Sequence, residues 1–239
     1  MEYIRTTRVD KYATLDQLYE ELKKGAYEYL VHRHSVRADV VFWEHLKGTL
    51  TQPYIHLDYS QNISLKPKSE CQSEHFSGKE QTLHCTVLAN PNSNTYIYHL
   101  SDDTIHDAVM TFHVLESIIT EHPELIEDGK LIIKSDNCSM QYKCKRTFKQ
   151  MVRIAQKYDI DIFWFYGEAG HGRGLVDAMS SFGCKKLLKD AIVTEDVWFR
   201  DAAEMTQFLR NETAGHANKE YYFVDEKETA NLREKKRLN

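Results

Sequence analysis

The stretch Leu131-Ile132-Ile133-Lys134-Ser135-Asp136 (LIIKSD, residues 131–136) decides the fold of this chain. Its apolar residues are consecutive rather than alternating, which is typical of a strand that other elements cover on both faces. Such strands occur where helices pack on both sides of a sheet that is at least partly parallel, so the stretch favours an α/β fold. It ends at an acid, Asp136, which would lie at the carboxyl end of that buried strand.

Helices are predicted on both sides of this strand in the sequence. Residues 104–121 repeat apolar side chains three and four apart, beginning at Ile105, with Asp103 to cap the start and Pro123 to stop the end. Residues 140–157 have a similar period, and their predicted inward side chains are Phe148, Met151, Val152 and Ala155.

The remaining strands give the order of elements. Residues 54–59, 82–89, 95–100 and 160–166 have strand character, and Asn90-Pro91-Asn92-Ser93 has the composition of a hairpin turn. A Gly-rich loop, residues 167–174, leads into a last helix that reaches about Lys189. The order is therefore βββαβαβα, which predicts a mixed five-stranded sheet with flanking helices.

Helical segments flank this core, which spans residues 53–190. Residues 1–52 are predicted to be an N-terminal helical region with two helical stretches, 14–34 and 36–47, the first opening on a Thr14–Gln17 capping box. Residues 191–239 are predicted to be a C-terminal helical extension with a charged tail. The tail, residues 233–237 (REKKR), is either the charged end of a helix or a nuclear localisation signal.

The composition excludes several classes of protein. The 239 residues contain 31 Lys and Arg against 36 Asp and Glu, a net charge of −5, so the chain is not a polybasic protein. It has no apolar run of about 18–20 residues, so no membrane partner is expected. Its five scattered cysteines, without a CxxC pair, are interpreted as reduced thiols, so a nuclear or cytoplasmic location is expected.

Three acids occupy suggestive positions in the predicted order. Asp58 ends the first strand, Asp136 ends the fourth, and Asp177 lies one turn into the last helix. Each alone is readily explained by a turn or by the helix dipole. Together, three convergent carboxylates would repel one another unless divalent cations neutralised them, and Mg²⁺ prefers such oxygen ligands. Glu168 is the alternative to Asp177 as the third acid.

Cations follow the second of these acids without any interspersed acid. Between residues 137 and 158 the basic side chains are Lys143, Lys145, Arg146, Lys149, Arg153 and Lys157. Four of them recur every four residues on the predicted helix. This stripe favours contact with a polyanionic backbone, and the alternative is an ordinary solvated helix face.

Four stretches together carry a family resemblance. They are residues 56–62 (HLDYSQN), 81–84 (QTLH), 135–143 (SDNCSMQYK) and 171–177 (HGRGLVD). In this order, within about residues 30–190, the chain resembles a family of uncharacterised eukaryotic proteins derived from transposable elements. Those proteins have a transposase-like ribonuclease H domain, and the βββαβαβα order is that of the ribonuclease H fold.

The resemblance implies a DDE/D-type transposase or integrase-like core. Asp58, Asp136 and Asp177 would bind Mg²⁺ or Mn²⁺, most simply as two ions, and the substrate would be DNA such as transposon ends. Cleavage by water could be followed by transfer to a 3′-hydroxyl, and a homo-oligomer is expected. His171 either donates to a phosphate or leaving oxygen or only shapes its loop, and Arg173 would contact the nucleic acid with the cationic stripe.

The chain also departs from the family pattern. The replacements are Asn137 for Gly, Cys144 for Asn, Arg173 for Lys, and Ala178 for Gly. None removes a carboxylate, but they leave open a catalytically decayed or domesticated module that binds nucleic acid or protein. A second alternative is an RNA-directed nuclease on the same fold, because the sheet does not reveal which sugar its substrate has.

Overall fold

The structure, a computed structural model, describes residues 14–49, 52–64, 80–91, 93–167 and 175–237 of the chain. The chain divides into two compact units, Met1–Leu50 and Thr51–Asn239. In the described part of the first unit the chain forms one helix, and in the second it forms a sheet with helices on both faces.

Residues 14–49 of the first unit form one continuous helix, α1, at Leu15–Thr49. Its start is a capping box, because the Thr14 hydroxyl accepts from the backbone N–H of Gln17 while the Gln17 side chain accepts from the N–H of Thr14. The prediction of this cap is therefore confirmed. The prediction of two separate helical stretches is wrong, because the residues between them continue the same helix without a break.

The second unit contains six strands and six helices in its described residues. The strands are β1 (Tyr54–Tyr59), β2 (Thr82–Ala89), β3 (Asn94–Ser101), β4 (Lys130–Ser135), β5 (Asp161–Tyr166) and β6 (Lys219–Val224). The helices are α2 (Ala108–Glu121), α3 (Lys145–Tyr158), α4 (Leu175–Met179), α5 (Lys186–Thr194), α6 (Ala202–Glu212) and α7 (Glu226–Arg237). A 3₁₀ turn at Pro123–Leu125 follows α2, and a π-helical turn at Ser180–Lys185 joins α4 to α5.

The strands form one mixed sheet in the order β5-β4-β1-β2-β3-β6. The β2–β3 hairpin is antiparallel and runs from Thr82↔Ser101 to Ala89↔Asn94, which confirms the predicted hairpin. β1 pairs antiparallel with β2 and parallel with β4, and β4 pairs parallel with β5. The expected α/β class and the expected neighbourhood of the first and fourth strands are both confirmed.

A sixth strand corrects the prediction of a five-stranded sheet. β6 pairs parallel with β3 along its whole length, from Tyr96↔Lys219 to Ser101↔Val224. It lies in the region predicted to be only helical and tail-like. Its sequence, Tyr-Tyr-Phe-Val at residues 221–224, has the aromatic and β-branched residues that pack well on a pleated surface. The C-terminal region therefore completes the sheet.

Two apolar cores cover the two faces of the sheet, because successive strand residues point to opposite sides. One core joins β2 and β3 to the helices after residue 175, and includes Leu83, Cys85, Tyr98, Val176, Cys184, Leu188 and Met205. The other joins β1, β3 and β4 to α2 and α3, and includes Ile55, Leu57, Ile97, Phe112, Leu115, Ile133 and Ile154. Helices on both faces explain why the three consecutive residues Leu131, Ile132 and Ile133 of β4 are all apolar and buried.

The start of α2 differs from the prediction. The helix begins at Ala108, and its cap is Asp107, whose side chain accepts from the backbone N–H groups of Val109 and Met110. Asp103 instead accepts from the backbone N–H of Ile105 in the preceding loop. Ile105, predicted to be buried, is therefore outside the helix and 52% exposed.

The inward face of α3 also differs from the prediction. Thr147, Gln150 and Ile154 are its buried residues. Phe148 and Val152, predicted to face inward, are 49% and 57% exposed. Thr147 is held inside because its hydroxyl donates to the carbonyl of Gln141 and contacts the Cys144 sulfur, so the helix turns its polar Thr rather than its Phe to the core.

The last helix, α7, is tied to the core through Arg233. Its guanidinium pairs with Asp103 at 2.6 Å and with Asp107 at 3.0 Å, and it donates to the carbonyl of Ile105. Thr229, one turn earlier, donates to the same Asp103 carboxylate. The predicted tail from residue 233 is thus the end of a helix, and Arg233 holds that helix against the core.

The helices of the described segments were also compared with the requirements of a membrane span. None of them is both long enough and apolar enough to cross a bilayer.

Candidate active site

Two of the three predicted acids end neighbouring parallel strands. β1 and β4 are paired at Ile55↔Ile133 and at His56↔Lys134. Moving two residues further along both strands leads to Asp58 and to Asp136. The pairing register therefore brings both carboxylates to the same level at the carboxyl edge of the sheet, where ligand sites of α/β sheets commonly lie.

Side chains from the neighbouring strand fix the turn that holds Asp136. The indole N–H of Trp164 donates to the Ser135 hydroxyl at 2.9 Å, and that hydroxyl donates to the carbonyl of Asp136. One oxygen of the Asp136 side chain accepts from the backbone N–H of Cys138 at 3.0 Å. The carboxylate is thus oriented by its own turn, with its second oxygen left for another partner.

Asp177 reaches the same region from the other direction. It is an exposed residue in the first turn of α4, a helix that packs on β1 and β2. The π-helical turn after α4 passes so close to β3 that a Cβ at Gly183 would clash with the Tyr98 hydroxyl. A glycine is therefore required where this helical segment packs on the sheet, and this close contact helps to fix the distance of α4 from the sheet.

The electrostatics of the acids indicate that the three charges interact. Burial, together with the negative charges of Asp136 and Asp177, raises the pKa of Asp58 to about 8. Burial also raises the pKa of Asp136, the Cys138 N–H opposes that shift, and Asp177 adds to it. The three carboxyl groups therefore lie close enough to repel one another, and at neutral pH Asp58 retains a proton for much of the time.

The carboxylate oxygens of this site are the kind of ligand that a hard divalent cation prefers, but they do not surround a cation on all sides. Within the described ranges, no group of three or more His, Cys, Asp or Glu side chains is gathered closely enough to hold a metal ion. Mg²⁺ commonly takes one or two protein carboxylates and keeps several waters. Asp58 and Asp136 fit that requirement as a pair, and the charge of Asp177 acts on both.

Tyr142 is a member of this region that the sequence analysis missed. Its side chain is fully buried, and its hydroxyl has no hydrogen-bond partner among the described residues. Burial raises its pKa well above the usual value, and the nearby charges of Asp58 and Asp136 act in the same direction. The sequence signal for Tyr142 is its place in Gln141-Tyr142-Lys143, within the stretch 135–143 that carries the family resemblance.

A row of polar aromatic rings lies on the opposite face of β1 and β2, behind the acids. The Tyr59 ring stacks on the His106 ring and packs edge-to-face with the His84 ring. The ring centroids of His84 and His99 are 6.4 Å apart. The His106 ring bonds to Asn62 and to Thr82. In contrast, His84 Nε2 and both ring nitrogens of His99 are buried without a partner among the described residues.

Burial lowers the pKa of all three of these histidines. For His99 the pKa falls to about 3, with the charge of His113 contributing, and for His84 it falls well below its usual value. For His106 the shift is also downward, although Asp103 and Glu80 oppose it. The histidines are therefore neutral core residues at physiological pH rather than charged groups of the site.

The predicted cationic stripe lies on the outside of the molecule. Lys143, Lys145, Arg146, Lys149, Arg153 and Lys157 are all exposed, on α3 or just before it. Lys157 pairs with Glu116 at 3.1 Å, and Arg146 lies 3.9 Å from Asp107. Lys143 lies over the ring of Tyr166. The role of these cations in binding nucleic acid stays a prediction.

Three further predicted residues cannot be placed. Glu168, His171 and Arg173 belong to the Gly-rich loop and lie outside the described residues. The choice between Glu168 and Asp177 as the third acid, and the predicted roles of His171 and Arg173, therefore stay predictions.

Comparison with known proteins gives one match. Residues 41–239 match the family model described as Domain of unknown function (DUF8701). No curated protein matches the chain. No solved structure matches it either. The family model covers all of the six-stranded unit and the last part of α1, which is well over half of the chain. The chain therefore belongs to the DUF8701 family.

Proposed function

We propose that this chain is a metal-dependent phosphodiester-cleaving domain of the DDE/D transposase type, built on a ribonuclease H-like sheet. The single observation that carries the proposal is the mutual repulsion of Asp58, Asp136 and Asp177 at one edge of the sheet. Like charges are not normally held together in a fold without a cation that neutralises them or a function that uses them.

The strand arrangement supports the proposal. β1 to β5 are adjacent in the order β5-β4-β1-β2-β3, with two parallel pairings followed by two antiparallel ones. This is the order expected of the ribonuclease H fold that the motif resemblance implies. In this proposal β6 is an addition at the outer edge, three strands away from Asp58.

The protein groups would have distinct tasks in cleavage. When bound, Mg²⁺ or Mn²⁺ would supply charge neutralisation and a more acidic water. Asp58 and Asp136 would hold the ion, and the Cys138 N–H would keep the Asp136 carboxylate in its orientation. Ion binding requires Asp58 to lose its proton, so metal binding and activity should rise with pH toward the pKa of about 8.

A cleavage assay tests this proposal. The full chain would be incubated with Mg²⁺ or Mn²⁺ and with single- and double-stranded DNA and RNA of one sequence. We expect cleavage of DNA that Asp58→Asn and Asp136→Asn each reduce at least 100-fold. Asp161→Asn, which alters an exposed acid at the start of β5, is the matched control and should leave the rate unchanged. Equal cleavage by all variants would refute the assignment.

A second function is favoured by a different observation. The described residues contain no closed three-ligand metal group, while the cations of α3 lie on its exposed side. Both features suit a domesticated module that binds nucleic acid without cutting it. In that case DNA binding would survive the double change Asp58→Asn and Asp136→Asn, and the parent protein would show no cleavage in Mn²⁺. Cleavage of RNA alone would instead identify an RNA-directed nuclease.

A further inference from the structure

The outer face of α3 combines exposed apolar and cationic side chains in adjacent rows. Phe148 and Val152 are one turn apart and are 49% and 57% exposed. Lys145, Lys149 and Arg153 form the neighbouring row, also one turn apart. The apolar row is therefore bordered along its length by positive charge.

The positive charges of this row are not balanced locally. Among the residues that the structure describes, none of Lys145, Lys149 and Arg153 forms an ion pair, whereas Arg146 and Lys157 at the border of the row each meet an acid. The sequence from 137 to 158 also contains no acid. A solvated helix face usually intersperses acids with its bases, so this row has a net charge that is available to a ligand.

We propose that this face of α3 binds an unpaired nucleic-acid strand, with Phe148 stacking on a base and Lys145, Lys149 and Arg153 contacting the phosphates. Single strands are bound by cations that follow the backbone and by aromatic rings that stack on the exposed bases. In a duplex the base faces are covered by their neighbours, so a protruding Phe ring has no surface to stack on. Charge complementarity alone suits both forms, and the aromatic ring favours the single strand.

The position of the helix connects this surface to the candidate active site. α3 begins nine residues after Asp136, and Lys143 lies between the two. A strand on the cationic row would therefore lead toward the edge of the sheet where the acids lie. Only this orientation rests on the proposed cleavage function, because binding to α3 does not require a metal.

Fluorescence anisotropy tests the inference with the full chain in EDTA, which prevents cleavage. The probes are one labelled oligonucleotide as a single strand and the same sequence as a duplex, each at several salt concentrations. We expect tighter binding of the single strand. Phe148→Ala should weaken that binding about 5- to 100-fold and leave duplex binding nearly unchanged. Phe148→Trp should bind the single strand about as tightly as the parent does, because the larger ring also stacks.

Two further variants separate stacking from charge. Phe163→Ala removes a Phe on β5 that is similarly exposed, at 45%, and should leave both affinities unchanged. Lys149→Gln should weaken binding of both probes and lower the salt slope for the single strand by about 0.7, the value for one lost phosphate contact.

The outcomes distinguish this inference from the proposed function. Equal affinity for both probes, or no effect of Phe148→Ala, would overturn the inference even if the protein cleaves DNA. Binding of polyglutamate instead of either oligonucleotide, sensitive to Lys149→Gln, would overturn it in favour of an acidic protein partner. Strand binding that depends on Phe148 without any cleavage in Mn²⁺ would support the inference and contradict the proposed function.

Discussion

Asp58 couples the protonation of the candidate site to the stability of the fold. Its pKa is about 8 in the folded chain and near 4 in an unfolded one. Between those values the folded state holds a proton that the unfolded state has lost. Stability from this group is therefore present below about pH 4 and decreases as the pH rises toward 8.

Asp58→Asn should remove this pH dependence. We expect the variant to be more stable than the parent by about 5 kcal/mol at pH 8, which is the linkage between a folded pKa of about 8 and an unfolded one near 4, and to differ little from it at pH 4, because the amide carries no charge to bury. Urea unfolding at the two pH values measures the difference. Added Mn²⁺ should raise the stability of the parent at pH 8 but not that of the variant. If Asp58→Asn raised the stability equally at pH 4 and pH 8, the assignment of the pH dependence to Asp58 would be contradicted.

Tyr142→Phe tests the buried hydroxyl beside the acids. Removing a hydroxyl that has no partner among the described residues should leave the free energy of unfolding unchanged or raise it by about 1 kcal/mol, since an unpaired buried polar group is unfavourable. Denaturant unfolding of the variant at pH 7 measures this. A loss of about 1–2 kcal/mol would show instead that the hydroxyl has a partner, such as an ordered water, in solution.

At this scale the sequence predicted the acids better than their surroundings. Asp58 and Asp136 could be located because each lies at the carboxyl end of a recognisable strand. Their shifted pKa values could not be foreseen, because they depend on burial. Tyr142 was missed for the same reason, since its position beside Asp58 arises from the loop between β4 and α3, whose path the sequence does not encode in any period.

Among the elements, α3 illustrates why the inward face of a helix is hard to predict. Apolar residues at 148 and 152 and cations at 145, 149 and 153 repeat at the same four-residue spacing, so the period alone is consistent with more than one orientation. The hydrogen bonds of Thr147 at the start of the helix turn the Phe148 side outward. The Lys and Arg stripe was predicted correctly as an exposed surface, and its apolar neighbours were not.

The histidines of β2 and β3 should make the fold sensitive to acid. A histidine that is neutral in the folded state takes up a proton on unfolding once the pH is below about 6.5, so stability decreases from there toward the folded pKa, about 3 for His99. His99→Phe keeps the stack on Tyr222 without the unpaired nitrogens. The stability lost between pH 7 and pH 4.5 should be smaller by about 2 kcal/mol in this variant, as measured by urea unfolding.

The pairing of α7 with the α2 cap should contribute strongly to stability. Arg233 and its partners Asp103 and Asp107 are largely buried, so Arg233→Ala leaves Asp103 without its cation and Asp107 with only Arg146 at 3.9 Å, and it should cost about 3 kcal/mol. Lys186→Ala breaks the exposed pair with Asp190 and is the control, with a change below about 0.5 kcal/mol. Similar thermal midpoints for the two variants would show that α7 is not an anchor.

For the whole molecule, the division after residue 50 predicts which fragments fold. A chain of residues 51–239 keeps both cores and all six strands, so it should unfold in one cooperative transition with native circular dichroism. A chain of residues 51–190 lacks β6, and β3 loses its outer partner and the stack of Tyr98 on Tyr221. We expect this shorter fragment to aggregate or to remain unfolded, and a soluble, cooperatively folded 51–190 would contradict that expectation.

The place of β6 beside β3 has a consequence for the synthesis of the protein. A ribosome completes β1 to β5 well before it releases residues 219–224, so the outer edge of β3 stays open during most of translation. An open strand edge invites pairing with other chains. A stop codon anywhere before β6 would therefore leave this edge of β3 unpaired and the product prone to aggregation and degradation. The pairing of β6 with β3 thus closes the sheet.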